Sequence, residues 1–402
     1  MAAEVLATAG FLVTIFDRMA SPARKFLLAG RGGLNLTHTE TLDSMLDRYG
    51  PARPQLEAAI CAWGPDELRS WCASLGEPTF VGSSGRVFPQ SFRATPLLRA
   101  WLRRLGDLGV LLRARHRWVG WAQDGRTLRF AAADGTPLEI TPGGPVVFAL
   151  GGASWPGSGS DGGWVEPFRL AGVAVQELRP SNSGVITGWS PVFAERFAGV
   201  PLKNVAVSVA GDSHPAVRGD AVVTHQGLEG GPVYAVSGAL RAALDAAGRA
   251  TLLVDLHPDL THAAVAKRLE RRRPKDSLST ALRRSLGLDS VAIGLLREAT
   301  ANAVPTAAAA LASLVKAVPA TVTTTAGIDR AVSSSGGVAL DEIDDRFMLR
   351  RRPGTFVVGE MLDWEAPTGG YLLQATLSSA VAAAHGALDW HAEQIGGQGG
   401  VA

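Results

Sequence analysis

Apolar and polar positions change period several times along this chain, and each change marks an element. Residues 1–9 with Gly10 behind them read as the end of a helix with its C-terminal glycine. A short apolar strand follows, Leu12 to Phe16, and runs into the carboxylate of Asp17. Pro65 to Leu75 reads as a helix, with proline in its first turn and Gly76 as its stop. A second helix starts at Thr95, where apolar residues recur three and four apart. The period then drops to two. Residues 110–122, 126–132 and 136–140 predict strands, separated by the hairpin dipeptides Asp124-Gly125 and Asp134-Gly135. Pro145 to Leu150 is an unbroken apolar run and predicts a buried strand.

From about residue 183 the pattern becomes that of short strands (Val205–Val209, Ala221–Thr224, Thr251–Leu256) with a helical piece at 233–246. Residues 259–317 are mostly helical and hold the densest basic stretch, Lys267 to Lys275. After Pro319 the strand pattern returns. It leads to the strand Thr355 to Val358 and a last helix, Leu373 to His385. No repeat with a period of about 20–50 residues is visible. Three times, a predicted strand runs into a glycine cluster, with over a hundred residues between successive clusters. This predicts an α/β cofactor domain interrupted by insertions, because open α/β sheets bind ligands beyond the carboxyl ends of their strands. The expected boundaries are 1–182 for the first part of that domain, 183–258 for a β-rich insertion and 259–318 for a helical one. Residues 319–335 return through the β-rich part, and 336–402 complete the cofactor domain.

The first cluster lies in Lys25-to-His38, where Gly30, Arg31, Gly32, Gly33 and Asn35 follow Lys25. Glycines beside Lys25 and Arg31 bring backbone N–H groups and positive charge against a phosphate. The competing reading is an ordinary strand-to-helix loop with a basic rim. Asp17, followed by Arg18, stands where the second strand of a dinucleotide-binding unit holds a ribose hydroxyl. In such a unit the G-x-G-x-x-G turn precedes that acid by about 20 residues, which places it before Met1. The chain is therefore expected to begin inside the first helix of its cofactor domain. The second cluster, from Gly151 and Gly152 to Gly163, also reads as a plain loop. In the third, Gly359 permits close backbone approach, Glu360 or Asp363 can accept from hydroxyls, and Gly369-Gly370 opens a helix that favours negative charge. His38 and His225 are the candidates for proton transfer, since imidazole titrates near neutral pH; a structural histidine is the alternative for each. No metal-ligand spacing is present.

Composition narrows the class. The chain has 402 residues, with 46% hydrophobic and 19% charged, which suits a globular protein with a large core. A net charge of +2 gives no overall nucleic-acid signature, and of 39 basic residues only five are lysine. Cys61 and Cys72 form neither a redox nor a zinc pair. No run reaches the ~18 apolar residues of a membrane span. A signal-peptide reading of the apolar start is opposed by Glu4 and by the lack of a basic leading segment, so a cytoplasmic protein is expected. Hydrolase and P-loop motifs are absent.

Lys25–His38, Arg86-Val87-Phe88-Pro89, Ala149–Gly163, Thr224–Pro232 and Gly359–Gln374 together resemble the BaiN-like (YhiN-type) flavoproteins, which are NAD(P)/FAD-dependent oxidoreductases. The resemblance covers nearly the whole chain in order. It implies one FAD in a glutathione-reductase-type Rossmann domain, interrupted by a β-barrel-like and a helical insertion. Carried over by position, Asp17 would hold the adenosine ribose, and Lys25 with Gly30 to Asn35 would lie along the flavin and its phosphates. Glu360, Asp363 and the run Gly369, Gly370, Tyr371 to Gln374 would hold the ribityl chain and ring. The chain departs from the family in lacking the first strand and its glycine turn, and in Leu372, where many relatives carry a polar residue. The implied chemistry is hydride transfer to an activated C=C bond, with NAD(P)H docking transiently as reductant. Two alternatives stand beside it. One is an RNA uridine reductase, motivated by Arg271–Lys275 and Arg350–Arg352; the other is a fold that has lost its cofactor. Substrate and oligomeric state are not legible.

Overall fold

The computed structural model describes residues 1–30, 32–273 and 275–398. The chain forms two compact units, one of Met1–Arg179 with Ser333–Ala402 and one of Pro180–Val332.

In the first unit the strand Thr14–Asp17 pairs in parallel with Leu111–Ala114, and Val146–Phe148 pairs in parallel with Thr355–Val357. Gly151 and Gly359 therefore follow the carboxyl ends of two neighbouring strands. Parallel partners need a long crossover, and here most of the chain serves as one. The strand expected over 110–122 is two strands, Leu111–Ala114 and His116–Trp121, separated by Arg115 in the left-handed region (φ 62°). The first half pairs with Thr14–Asp17 and the second runs antiparallel to Leu128–Ala132. One straight strand could not serve both partners. The two hairpin turns form as their dipeptides predict. Asp124 Oδ1 accepts from the N–H groups of Arg126 and Thr127 at 2.9 and 2.8 Å, and Asp134 Oδ1 from that of Thr136 at 2.9 Å.

The last helix runs over Tyr371–Gln398, well beyond the predicted His385. Gly386 lies just past the predicted end. In the structure it is an interior contact, because a β-carbon there would meet Arg346 Cβ at 2.6 Å. Ala375, Ser378, Ser379, Ala383, Ala384 and Ala387 are buried along this helix. Their small size lets Arg53–Ala62 and Ala2–Thr8 pack closely against it. The rest of this core is largely aromatic: Phe168 is fully buried and stands edge-on to Trp118, Phe148 and Trp164.

In the second unit the strands lie in the order Val318–Val322, Ala250–Asp255, Pro201–Val209, Val217–Val223, Gly227–Glu229, Val185–Ile186, Thr324–Thr325. The two ends of that order are one stretch of chain interrupted at Thr323, whose N–H donates to the Ile186 carbonyl at 2.9 Å. Its first half pairs with Ala250–Asp255 and its second with Val185–Ile186, so the sheet closes on itself and leaves no free edge there. The helix expected over 233–246 is broken at Val236 into Gly231–Ala235 and Ser237–Ala247. The helices His262–Glu270, Leu278–Leu286, Ser290–Ala299 and Ala308–Lys316 do not stand apart from the barrel. Val265, Leu282, Leu295 and Val315 share one core with Val207, Leu252 and Val322.

Gly227 is where barrel closure is most crowded: a β-carbon there would collide with the Val185 carbonyl, whereas nothing lies within 4 Å of one at Gly231. Gly227→Ala should cost about 1–3 kcal/mol by overpacking. Gly231→Ala should change stability by less than about 0.5 kcal/mol. Chemical denaturation of the two variants checks this, and equal losses would contradict the closure described.

Candidate functional site

The three glycine clusters meet in the first unit through charged and hydroxyl side chains. Lys25 lies on the short helix Arg24–Ala29. Its Nζ donates to Ser154 Oγ at 2.7 Å and pairs with Glu360 Oε2 at 2.5 Å. The other oxygen of Glu360 accepts from the Ser334 N–H at 3.2 Å, and Ser334 Oγ accepts from the Ala153 N–H at 2.9 Å. Both side chains of the ion pair are largely shielded, at 27% and 15% exposure. Glu360 is thus engaged with protein donors at both oxygens. The glycines around it allow this closeness. A β-carbon at Gly151 would stand 2.9 Å from Ser160 Oγ, and one at Gly152 would collide with Ser334.

At the start of the long helix, Gly369 and Gly370 have φ of 141° and 99°. A β-carbon at Gly370 would lie 2.6 Å from the Thr37 carbonyl carbon, so only glycine lets these two backbones touch. Around this contact several buried polar atoms have no protein partner: Asn35 Oδ1, Thr37 Oγ1 and Gln374 Oε1, with Ser160 Oγ on the second cluster. Thr37 and Gln374 are fully buried. Buried polar atoms are almost always satisfied, so such a set fits a polar ligand. The first turn of the helix adds unpaired N–H groups and a positive dipole end.

Tyr371 is held from several sides. Its ring stacks on His38 at 5.5 Å, Arg48 lies over it at 5.8 Å, and the Tyr49 hydroxyl donates to its carbonyl at 2.9 Å. Arg48 Nη2 bonds Glu40 at 2.8 Å. Burial would raise the Glu40 carboxyl, but hydrogen bonds from Arg48 and from the Tyr371 hydroxyl hold it below its usual range. Burial and the neighbouring Glu40 push the Tyr371 hydroxyl well up. His38 Nδ1 accepts from the Glu40 N–H at 3.1 Å, and its Nε2 bonds the Ser84 carbonyl at 2.9 Å. Both ring nitrogens are therefore engaged with the protein backbone, and the ring packs on Tyr371.

Other expected residues fall into separate arrangements. Asp17 Oδ1 accepts from the Met19 N–H at 2.7 Å, and burial raises its carboxyl. Arg18 is bonded to Asp161, which Arg117 also pairs at 3.1 Å. Asp363 is raised by burial and by Glu365, and accepts from the Gly336 backbone. Gly30 packs on Ala94, and Gly32 and Gly33 have φ of 83° and 117°. Arg31 lies outside the described residues. His225 belongs to the second unit, exposed on the turn after Val217–Val223. The run Arg350–Arg352 is not a free basic patch. Arg350 bonds the Asp341 carbonyl, Arg351 pairs Glu342, and Arg352 bonds the Gly125 carbonyl while lying 4.2 Å from the Trp121 ring centre. Of the Arg271–Lys275 run, Pro274 lies outside the described residues, and Arg272 bonds the Asp276 carbonyl. Among the described residues there is no metal-binding group of His, Cys, Asp or Glu, and no helix long and apolar enough to cross a membrane. Sequence reasoning missed Thr37, Glu40, Arg48, Ser154 and Ser334. Ser154 and Ser334 act through partners far along the chain, Glu40 and Arg48 pair locally but meet Tyr371 only in the fold, and the Thr37 hydroxyl is distinguished only by its burial without a partner.

The family profile described as the HI0933-like protein Rossmann domain matches residues 1–386. The chain is 26% identical over 377 residues to the 3-dehydro-bile acid delta(4,6)-reductase of Clostridium scindens, covering 90% of this chain and 89% of that one. It is 24% identical over 392 residues to the ribosomal RNA dihydrouridine synthase of Haemophilus influenzae, covering 95% and 94%. Among solved structures, 3-ketosteroid delta1-dehydrogenase from Sterolibacterium denitrificans is similar in fold, with a TM-score of 0.52 at 12% identity, covering 98% and 97%.

Removing one partner of the shielded Lys25–Glu360 pair strands the other. Lys25→Met should cost roughly 1–3 kcal/mol, and adding Glu360→Gln should recover part of it; denaturant unfolding of the single and double variants measures this. Because folding lowers the Glu40 pKa, its contribution to stability is full above the ordinary value of 4.5 and lost as pH falls through the folded value. Glu40→Gln should therefore be less stable than the parent at neutral pH, with the gap closing below about pH 4 in pH-dependent unfolding.

Proposed function

This chain belongs to the HI0933-like Rossmann family and is a flavin-dependent oxidoreductase; from that premise we propose that its first unit holds FAD and that it saturates an activated C=C bond with NAD(P)H as reductant. The observation that carries the reading is the set of buried polar atoms without protein partners at Asn35, Thr37 and Gln374, gathered where Gly370 lets the long helix meet the Thr37 backbone. These residues fit a flavin. Gln374 and Thr37 would bond polar atoms of the cofactor, and the N–H groups at Gly369–Tyr371 would face its negative charge. When bound, FAD supplies the two-electron hydride chemistry.

The chain's own residues do the rest. Glu40, Arg48 and His38 fix Tyr371 and with it the first turn of the helix. Lys25 and Glu360 lock the loops that carry Ser154 and Ser334. His225 is the candidate for handling the proton, its ring being exposed and its neighbourhood rich in glycine. The balanced reaction takes a C=C bond, NAD(P)H and one proton to the saturated product and NAD(P)⁺. Both curated relatives bear names that describe saturating such a bond, one on a bile acid and one on an RNA base. The activated double bond is the feature those substrates share.

Thr37→Val separates the site from the fold, because it removes a hydroxyl that no protein atom satisfies. We expect stability to stay level or rise while FAD affinity falls about fivefold to thirtyfold, followed by flavin absorbance titration. Unchanged affinity would remove Thr37 from the site. Under anaerobic conditions the loaded protein should consume NAD(P)H in step with a cyclic enone, and His225→Asn should slow turnover without changing flavin content. A loaded protein that NAD(P)H does not reduce would end the reductant assignment.

A further inference from the structure

The small antiparallel sheet of Thr37–His38, Arg86–Pro89 and Thr79–Val81 turns Val87 and Pro89 to the interior, so Arg86 and Phe88 point outward on alternating positions. Phe80 lies directly across from Phe88. Phe92, from the turn that follows, stacks on both. The three ring centroids are 5.0 to 6.3 Å apart, with tilts of 27° to 38°. This stack is open to solvent, Phe80 at 38% and Phe92 at 43% exposure. Phe92 also holds a left-handed backbone, φ 60°, which a bulky aromatic residue rarely adopts. Its ring lies on Gly33, where any β-carbon would collide with it. Beside that contact is an open cavity of about 350 Å³, lined by Leu27, the glycines 30, 32 and 33 of the first cluster, Phe92, Arg93 and Thr95. Arg93 lines the cavity and is exposed.

We propose that this cavity and the aromatic stack beside it bind a nucleotide unit, its flat base against the phenylalanine rings and its phosphate on Arg93. A hydrocarbon occupant would use the rings and leave Arg93 idle, and a bare anion would do the reverse. A nucleotide uses both, since stacking on aromatic rings is tolerant of base identity and guanidinium groups suit phosphate oxygens. The cavity is large enough for a mononucleotide-sized group and is open on one side for the remainder of a larger molecule. The same chemistry is offered by a free nicotinamide dinucleotide and by a nucleotide of a single strand. The inference rests on the flavin reading for what the nucleotide would do, not for whether it binds.

The experiment uses the full chain, with and without added FAD, titrated with NADP⁺ and NAD⁺ by calorimetry and with a short fluorescent oligouridylate by anisotropy. Phe80→Ala and Arg93→Gln change exposed side chains. Each should weaken the bound probe about tenfold or more while flavin absorbance stays at the parent level. Binding of the dinucleotide alone assigns the cavity to the reductant. Binding of the oligouridylate alone, weakening steeply with salt, assigns it to a strand. The proposal is overturned if neither probe binds the parent protein, if both variants bind as the parent does, or if the variants lose flavin and keep the probe. A chain that takes up no FAD but still binds a probe through Phe80 and Arg93 would fail the flavin reading and leave this one standing.

Discussion

The first unit depends on one ammonium group. Lys25 reaches Ser154 and Glu360 at once and so joins three glycine-rich loops that lie far apart in sequence. The first and third loops are also anchored by fully buried apolar residues, Leu34 and Leu36 in one and Met361 and Leu362 in the other. A partly shielded ion pair of this kind gives modest net stability but strong geometric selection, because either charge left alone is costly. Ser334 extends the clasp by bonding both Glu360 and the Ala153 backbone, which places the second and third clusters side by side. Glycine is required at 151 and 152 because Ser160 and Ser334 respectively fill the space a β-carbon would take.

The long helix Tyr371–Gln398 supplies the rigid axis against which those loops are set. Its small buried residues let other helices approach closely, and its first turn meets the Thr37 backbone through Gly370. Buried hydroxyl and amide atoms near that turn lack protein partners, whereas Tyr371 next to them is bonded or stacked on every side. Tyr371, Glu40, Arg48 and His38 fix the helix start, while Asn35 Oδ1, Thr37 Oγ1 and Gln374 Oε1 keep an unused hydrogen-bonding capacity, the Gln374 amide nitrogen being held by the Trp63 carbonyl and Ser378. A firm frame beside unsatisfied groups is how a preorganised site is built.

The second unit solves a different problem. Its short strands would expose two edges, and the stretch from Val318 to Thr325 removes both by pairing with one neighbour through each half. The surrounding helices share the barrel core, so their apolar stripes are buried by strands as well as by one another. Sequence periodicity cannot show this. An amphipathic stripe looks the same whether its partner is a helix or a sheet.

Much of the fold was written locally. Alternation at 126–140 with Asp-Gly turns and the proline start at Pro65 each rest on interactions within a few residues, and the corresponding elements form. The strand-then-glycine pattern likewise pointed to the loops that meet in the first unit, and the wider motif order pointed to the family. Tertiary structure decided what depends on distant partners. It broke the 110–122 strand at Arg115 to serve two neighbours and carried the last helix through Gly386 because Arg346 packs there. It tied both nitrogens of His38, and it gave each arginine of Arg350–Arg352 a partner within the protein, Arg350 and Arg351 staying exposed. A residue's type states which bonds it can make. Only the folded chain settles whether a partner within the protein has already taken them.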